Sequence, residues 1–176
     1  MQHTVVRLLT PHDAEAFSRL RLLGLEMHPQ AFGTGAAAWR QATPEQVRAY
    51  VDPAAAAQDR FVLGAFVSDE LVGQVGLRRE ARAAVHHKGS LWGLIVHPDH
   101  RRRGIGSSLL QSALDAARAC EGLQYLRVVV TTDCEDAMRL FASHGFVRYG
   151  LEAGGLSLAD AAYDQAFLRC DVDTSG

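Results

Sequence analysis

Several features that would mark a specialised class of protein are scarce in this chain of 176 residues. It has three cysteines, Cys120, Cys134 and Cys170, and none of them stands in a Cys-x-x-Cys spacing. An odd number of widely spaced cysteines argues against a disulfide framework and against a zinc site. A reducing compartment fits this cysteine usage best, so we expect a cytoplasmic protein that needs no metal.

The sequence also lacks a long apolar run. No stretch approaches the roughly 20 residues that a membrane-spanning helix needs. The N-terminus shows no apolar core followed by a cleavage site of the kind that secretory signals carry. We therefore expect neither membrane insertion nor a targeting segment.

Neither sign of charge dominates the composition. The chain has 18 lysines and arginines against 20 aspartates and glutamates, a formal net charge of −2. No global field therefore draws in nucleic acid, and we expect no nucleic-acid partner. The 48% of hydrophobic residues suits a single domain over residues 1–176, with one core and one ligand cleft.

The hydrophobic pattern predicts a mixed α/β architecture. Residues 5–9 are expected to form a first strand, and two helices, one ending near residue 28 and one at 43–51, should precede the main sheet. Apolar runs at 61–67 and 71–77, joined by three polar residues, have the pattern of an antiparallel hairpin. The later predicted elements are a central strand at 91–96, a helix at 104–121, a buried strand at 125–130, a helix at 135–144, and strands at 146–149 and 165–170.

The most informative segment begins in the predicted central strand. It consists of Leu94, Ile95 and Val96, four connecting residues, and then Arg101, Arg102, Arg103, Gly104, Ile105, Gly106 and Ser107. The first amides of a helix have no partner within that helix, and glycine lets an anion approach them closely. The helix macrodipole and the three arginines add attraction for negative charge. The segment therefore predicts a phosphate-binding loop.

Other interpretations of this segment compete with phosphate binding. A dinucleotide-binding loop needs a third glycine where the chain has Leu109, and a P-loop needs a Gly-Lys-Ser/Thr sequence that is absent. A solvated run of charge remains an alternative for the arginines.

Together with residues 137–146, Ala-Met-Arg-Leu-Phe-Ala-Ser-His-Gly-Phe, this segment resembles the GNAT family of N-acetyltransferases. The loop matches the family signature Arg/Gln-x-x-Gly-x-Gly/Ala, and the second segment matches a family helix that ends in Gly-Phe. Residues 28–33 and 87–89 further resemble bacterial members. The resemblance implies the family's fold, a central twisted mixed sheet flanked by helices, with two strands that splay into a V-shaped cofactor cleft.

The resemblance also implies acetyl-CoA as the co-substrate. The amides of residues 102–107 would bind its pyrophosphate, and the backbone of Leu94 and Val96 would bind its pantetheine arm. The amide of Leu94 would polarise the thioester carbonyl. The full set of expected cofactor contacts is Leu94, Ile95, Val96, Arg101, Arg102, Arg103, Gly104, Ile105, Gly106, Ser107, Cys134 and Phe141.

Two positions near the thioester depart from the family's usual residues. Phe141 stands where many members have a tyrosine that protonates the departing thiolate, and Cys134 replaces a frequent asparagine. A thiolate of pKa about 8.5 is a tolerable leaving group at neutral pH, so Phe141 does not exclude catalysis.

The general base is also not the usual one. Ser90 stands where several members carry a carboxylate or histidine, and a serine relays protons but is not itself a base. Glu80, His86 and His87 lie near the mouth of the same strand, and we favour His87 among them. The alternative for these side chains is simple solvation.

We expect direct transfer of an acetyl group to a primary amine in a ternary complex, because no partner in the sequence marks Cys134 as an activated nucleophile. The acceptor would be a small-molecule or peptide amine, and homodimers are frequent in the family. The expected acceptor contacts are Arg21, Glu26, Phe32, Trp92 and a loop at 151–163. The alternative function is a non-catalytic acyl-CoA sensor or interaction module, which Phe141 and Ser90 leave open.

Overall fold

Seven strands form one mixed sheet at the centre of the computed structural model, which describes residues 3–52, 54, 60–159 and 161–172. The strands are β1 (Thr4–Leu8), β2 (Arg60–Val67), β3 (Glu70–Arg79), β4 (Lys88–Val96), β5 (Tyr125–Thr131), β6 (Val147–Leu158) and β7 (Ala161–Asp171). They lie in the order β1-β2-β3-β4-β5-β7-β6. Strands β4 and β5 are parallel, and the other described neighbours are antiparallel.

Helices cover both faces of this sheet. They are α1 (Ala14–Met27), α2 (Ala36–Arg40), α3 (Pro44–Val51), α4 (Ile105–Arg118) and α5 (Glu135–Ser143). Helices α1 to α3 share a hydrophobic cluster that contains Phe17, Leu25 and Trp39. Helices α4 and α5 share a second cluster that contains Leu109 and Phe141. The mixed α/β fold predicted from the sequence is confirmed.

Local sequence signals place the helix ends. Helix α3 begins with a capping box, in which the Thr43 hydroxyl accepts from the Gln46 amide at 3.3 Å and the Gln46 side chain accepts from the Thr43 amide at 2.8 Å. Gly122 and Gly145, which follow α4 and α5, have φ values of +72° and +83°. This left-handed conformation is the helix stop that the sequence predicts.

Strands β4 and β5 diverge after a short stretch of pairing. Residues 88–90 pair with residues 125–127, and no further β4–β5 pairs are found among the described residues. On the opposite edge of β4, Gly93 and Leu94 together face Val75 of β3, and Gly93 has φ +62°. This β-bulge bends β4, because one strand carries an extra residue. The bend and the lost pairing open the V-shaped cleft.

Two predictions about secondary structure are wrong. The expected loop at 151–163 is instead part of a long β6–β7 hairpin, in which Gly154 adopts φ +63° beside a register shift between Glu152 and Leu156. The glycines that suggest a loop are absorbed by this irregularity within the hairpin. Helix α2 was not expected at all. It is held by Trp39, whose indole nitrogen donates to the Ser18 hydroxyl at 3.1 Å.

Candidate active site

A cavity of about 730 Å³ fills the opening between β4 and β5. Trp92 and Leu94 of β4 form one wall, and Val130 of β5 forms the other. Cys134 and Phe141, at the start and within α5, also line it. The cavity therefore occupies the cleft that the divergence of the two strands creates.

The segment before α2 crosses the open end of this cleft. The Thr131 hydroxyl at the end of β5 donates to the Gln30 carbonyl at 2.6 Å. At the end of β4, the Arg101 guanidinium lies 3.1 Å from Nε2 of His28 and donates from Nε to the Val96 carbonyl at 3.1 Å. Burial and the neighbouring Arg101 cation lower the pKa of His28, which favours a neutral imidazole that accepts from Arg101.

The loop that enters α4 presents a row of unused hydrogen-bond donors. Backbone amides of residues 102–107 have no acceptor among the described residues, and the first bond of the helix runs from the Ser108 amide to the Gly104 carbonyl at 2.9 Å. Arg102 and Gly104 adopt left-handed φ values of +58° and +78°. Successive amides in such a turn form an anion-binding nest, and the N-terminus of the 14-residue α4 adds a favourable dipole.

The three arginines of this loop have different surroundings. Arg101 is tied to β4 and to His28, as described above. Arg102 and Arg103 are exposed, and their side chains make no hydrogen bond within the described part of the chain. Of the three, Arg102 and Arg103 therefore have guanidinium groups available for a bound anion.

Two other predicted cofactor contacts serve partly as scaffold. The Ile95 side chain is buried beneath α1, where a Cβ built on Gly24 would lie 2.7 Å from its Cδ1 atom. The Ser107 hydroxyl lies 3.0 Å from Nε2 of His144 and links α4 to the end of α5. The Ile95 side chain thus belongs to the packing beneath α1, and Ile95 does not line the cavity.

Ser90 belongs to a hydrogen-bonded group at the closed end of the cleft. Arg127 donates from Nε to the Ser90 hydroxyl at 2.9 Å and forms an ion pair with Glu80 through Nη2. Ser90 and Arg127 line the cavity, whereas Glu80 does not. Because Glu80 lies outside the cavity and its Oε1 atom pairs with Arg127, its carboxylate is not placed to take a proton directly from an acceptor.

The two candidate histidines lie outside the cavity wall. The His87 ring packs edge-on against Tyr125, with ring centroids 5.8 Å apart. Nδ1 of His86 lies 2.8 Å from the Glu80 carbonyl. The structure therefore does not bring the favoured His87 to the cavity, and its role as a base stays a prediction.

Cys134 has no feature of an activated nucleophile. Its thiol is half-buried, and burial together with the charge of Asp133 raises its pKa. A raised pKa keeps Cys134 as a neutral thiol near pH 7.

Among the described residues, no group of three or more histidine, cysteine, aspartate and glutamate side chains is placed to hold a metal ion.

The predicted acceptor contacts divide into two groups. Arg21, Phe32 and Trp92 line the cavity. Glu26 does not, and it forms an ion pair with Arg40 of α2. Arg21, which faces the cleft, and Glu26, which helps to fix α2, are about 1.4 turns apart and therefore lie on different faces of α1.

Arg21 is an unusual member of this wall because its charge is buried and has no counter-ion among the described residues. The residue is 6% exposed, and its Nε and Nη1 atoms have no hydrogen-bond partner in the described structure. The guanidinium lies 4.7 Å from the Trp39 ring centre and 5.3 Å from that of Trp92. Burial lowers the pKa of Arg21, but a guanidinium is basic enough to remain charged near pH 7.

A row of polar side chains across the sheet also lines the cavity and is not apparent from the sequence. Arg60 lies opposite Arg78, Arg78 opposite Ser90, and Ser90 opposite Arg127 in the strand registers. All four residues line the cavity. Each arginine borders or interrupts an apolar run, which indicates an accessible side chain. The adjacency of the three arginines, however, depends on a strand register that the sequence does not specify.

Among the described residues, no helix combines the length and the apolar character needed to cross a bilayer. This finding concerns the helices alone.

Comparison with known proteins places this architecture among acetyltransferases. Residues 23–146 match the profile of the Acetyltransferase (GNAT) family. A curated protein, N-alpha-acetyltransferase RimI of Mycobacterium tuberculosis, is 39% identical over 94 residues, which are 51% of this chain and 53% of that protein. The match thus spans about half the length of this curated relative.

Solved structures share the fold over nearly the whole chain. The acetyltransferase of the GNAT family from Streptococcus pneumoniae superposes with a TM-score of 0.86 and 24% identity, covering 97% of this chain and 100% of that one. The putative acetyltransferase yncA from Salmonella typhimurium, solved with its cofactor acetyl-CoA, gives a TM-score of 0.85 at 18% identity and covers 99% and 96% of the two chains.

Proposed function

Because the chain belongs to the GNAT family of acetyltransferases, we propose that it transfers the acetyl group of acetyl-CoA to a primary amine in the cleft between β4 and β5. The observation that carries this proposal is the row of unpaired amides at residues 102–107 beside that cleft. A diphosphate supplies the acceptors that these donors lack.

The residues of the cleft fit acetyl-CoA along its length. Amides 102–107 would hold the diphosphate, with Arg102 and Arg103 adding charge. Beyond Ser90, the β4 edge that faces β5 has no strand partner among the described residues, so the backbone of Leu94 is available to the pantetheine arm. Acetyl-CoA supplies an activated thioester when it is bound there.

Residues of β4 would stabilise the charge that develops during attack. The amide of Leu94 is the proposed donor to the thioester oxygen, and a fixed donor of this kind lowers an acyl-transfer barrier by about 3 kcal/mol. The bulge at Gly93 matters here because it turns the backbone just before Leu94 out of the regular ladder. Side-chain identity at Leu94 is less important than this backbone geometry.

The acceptor amine must lose a proton before it attacks. For a lysine-like amine of pKa about 10.4, deprotonation at pH 7 costs about 4.6 kcal/mol, the product of about 3.4 pH units and about 1.36 kcal/mol. We assign the proton relay to Ser90, whose hydroxyl accepts from Arg127 and retains its own proton and a second lone pair. The proton would leave through the Ser90 hydroxyl to water, while Glu80 would hold Arg127 in position rather than take the proton. His87 would act only as a base reached through water.

The departing thiolate would leave without a protein acid. Phe141 lies in the cavity wall and packs edge-on against Phe146, with ring centroids 5.2 Å apart. Proton delivery from water late in the reaction is sufficient for a thiolate of pKa about 8.5.

We propose direct transfer rather than an acetyl-cysteine intermediate. The raised pKa of Cys134 supports this view, because the neutral thiol is a poor nucleophile. Mass spectrometry of the protein after exposure to acetyl-CoA alone is expected to find Cys134 unmodified.

We further propose a cytoplasmic setting, which the free thiols Cys120, Cys134 and Cys170 support. The acceptor would be a small-molecule or peptide amine. The name of the Mycobacterium relative, an N-alpha-acetyltransferase, favours an α-amine over a lysine side chain. A homodimer remains our expectation from the family alone.

A non-catalytic acyl-CoA sensor is the second candidate, because Phe141 and Ser90 replace the groups that commonly assist the reaction. Release of CoA thiol, measured with a panel of amines, separates the two functions. We expect amine-dependent release well above the hydrolysis observed without amine. Tight acetyl-CoA binding with no release for any amine would favour the sensor.

A further inference from the structure

Arg21 presents a buried, unsatisfied cation to the cleft. At 6% exposure, its guanidinium has lost most of its water, yet Nε and Nη1 have no acceptor among the described residues. Contacts with the faces of Trp39 and Trp92 compensate for part of this loss. A buried charge without a hydrogen-bonded partner is costly, so its presence in a cavity wall indicates that a ligand supplies the partner.

The position of Arg21 places that partner beside the proposed reaction centre. A Cβ built on Gly93 would lie 3.0 Å from Nη1 of Arg21, so the guanidinium lies directly against the β4 bulge. The next residue is Leu94, whose amide is the proposed donor to the thioester. An acid group bound by Arg21 would therefore be close to the amine that attacks.

The rest of the cavity wall reinforces the preference for an anion. Arg60 and Arg78 are direct cross-strand neighbours, and like charges in that relationship repel one another. Arg60 donates to the Ala49 carbonyl but keeps a buried Nε without a partner, and neither arginine has an ion pair among the described residues. Glu80 neutralises only the charge of Arg127, and not that of Arg60 or Arg78.

The charge balance of the cavity is therefore strongly positive. Four arginines line it, namely Arg21, Arg60, Arg78 and Arg127, and no described aspartate or glutamate does. The diphosphate of acetyl-CoA would bind a separate set of hydrogen-bond donors at residues 102–107. The excess positive charge in the cavity would therefore be neutralised by the acceptor.

We infer that the acceptor is a primary amine with a carboxylate close to it, and that Arg21 binds this carboxylate. This inference rests on the proposed acetyl transfer and narrows its substrate class. Free α-amino acids and peptides with an acidic first residue share this chemistry. The Arg60–Arg78 pair extends the preference to acceptors that carry a second carboxylate, such as glutamate.

The test compares amine acceptors that differ in the number and position of their carboxylates. L-glutamate, glutamine, the α-amide of glutamate, putrescine and the peptide Glu-Ala-Ala are each assayed for release of CoA thiol. We expect kcat/KM for glutamate to exceed that for its α-amide at least tenfold, with putrescine the poorest acceptor. A preference for Glu-Ala-Ala over glutamate would identify a peptide with an acidic first residue as the acceptor. Equal or better use of the α-amide or putrescine would overturn the inference.

A substitution of Arg21 separates binding from folding. Arg21→Met keeps an unbranched, flexible side chain, two atoms shorter than that of arginine, and removes the charge, so KM for glutamate should rise about 10- to 100-fold while kcat/KM for the α-amide changes less than threefold. The variant should melt at the same temperature as the wild type or higher, because a buried unpaired charge is removed. Arg19→Met is the matched control, since Arg19 lies on the same helix, is 71% exposed and pairs with Glu15.

Binding is also measured without turnover. Glutamate should raise the melting temperature of the CoA-loaded wild type but not of Arg21→Met. If no amine is acetylated and this Arg21-dependent shift persists, the proposed catalysis fails and the anion site stands. If amines of every charge are acetylated alike, or if Arg21→Met impairs all acceptors equally and destabilises the fold, the anion site is contradicted.

Discussion

Trp92 lies flat against Gly76 of the neighbouring strand, so closely that a Cβ built on Gly76 would be 2.0 Å from Cε2 of the indole. The two residues are cross-strand partners in the β3–β4 register. The indole also packs against Tyr50, at 5.7 Å between ring centroids, and against the Arg21 guanidinium. The absence of a side chain at Gly76 therefore sets the position of Trp92 and, through it, the surroundings of the Arg21 guanidinium.

Gly76→Ala should displace Trp92 and destabilise the protein. The added methyl group overlaps the rigid indole rather than the end of a flexible chain, so we expect the free energy of unfolding to fall by about 1–3 kcal/mol. Urea denaturation measures this change. Gly33→Ala is the control, because a Cβ at Gly33 meets nothing within 4 Å. Equal stability of the two variants would show that Trp92 does not depend on Gly76 for its position.

The proton relay is tested by a pair of alanine variants. Ser90→Ala removes the hydroxyl that lines the cavity and accepts from Arg127, so kcat should fall about tenfold with little change in the affinity for acetyl-CoA. His87→Ala should have a smaller effect, because His87 lies outside the cavity wall. The pH dependence of kcat/KM decides between them. A profile altered by His87→Ala and untouched by Ser90→Ala would restore the histidine as the base.

Stability should depend on pH through Asp13 in the turn that precedes α1. Hydrogen bonds from Arg7 at 2.8 and 2.9 Å, aided by the Thr10 amide, lower the pKa of Asp13 from 3.8 to about 2. A lowered carboxyl pKa stabilises the folded state above pH 4, and this contribution is lost as the pH falls from about 4 to about 2. Since Arg7 is 46% exposed, solvent screening limits the contribution to about 1 kcal/mol.

Asp13→Asn isolates this contribution, because an asparagine oxygen still accepts from the Thr10 amide. Denaturation between pH 6 and pH 2 should show a smaller loss of stability for the variant than for the wild type. Asp69→Asn, in the exposed β2–β3 turn, should behave as the wild type does. Identical pH profiles for Asp13→Asn and the wild type would refute the role of this carboxylate.

The parts of the fold that the sequence predicts well are those that local signals decide. The glycine-bearing loop that leads into α4 can be predicted because Gly104 and the start of α4 lie within a few residues of each other. The stops at Gly122 and Gly145 are likewise set by a single backbone conformation. Each of these features depends on short-range geometry, which a linear pattern records directly.

Features that depend on strand register could not be predicted in the same way. Arg60, Arg78 and Arg127 come from three strands, and their common position follows from hydrogen bonding between those strands. His87 is near Ser90 in sequence, yet its ring packs against Tyr125 outside the cavity wall. The two strands of the β6–β7 hairpin can be predicted but not their full length, because glycines that normally mark a turn are accommodated there by register shifts. Pairing between distant segments decides all three outcomes.

Calorimetric titration with acetyl-CoA tests the central claim, that unpaired amides at residues 102–107 and the neighbouring arginines hold a diphosphate. We expect saturable binding of one acetyl-CoA per chain. The double variant Arg102→Gln, Arg103→Gln should bind about tenfold more weakly, with a shallower dependence on salt, because two cations near the phosphates are lost. Arg118→Gln, at the far end of α4, should bind as the wild type does. Absence of binding heat under every condition, or equal affinity in all three proteins, would contradict the account.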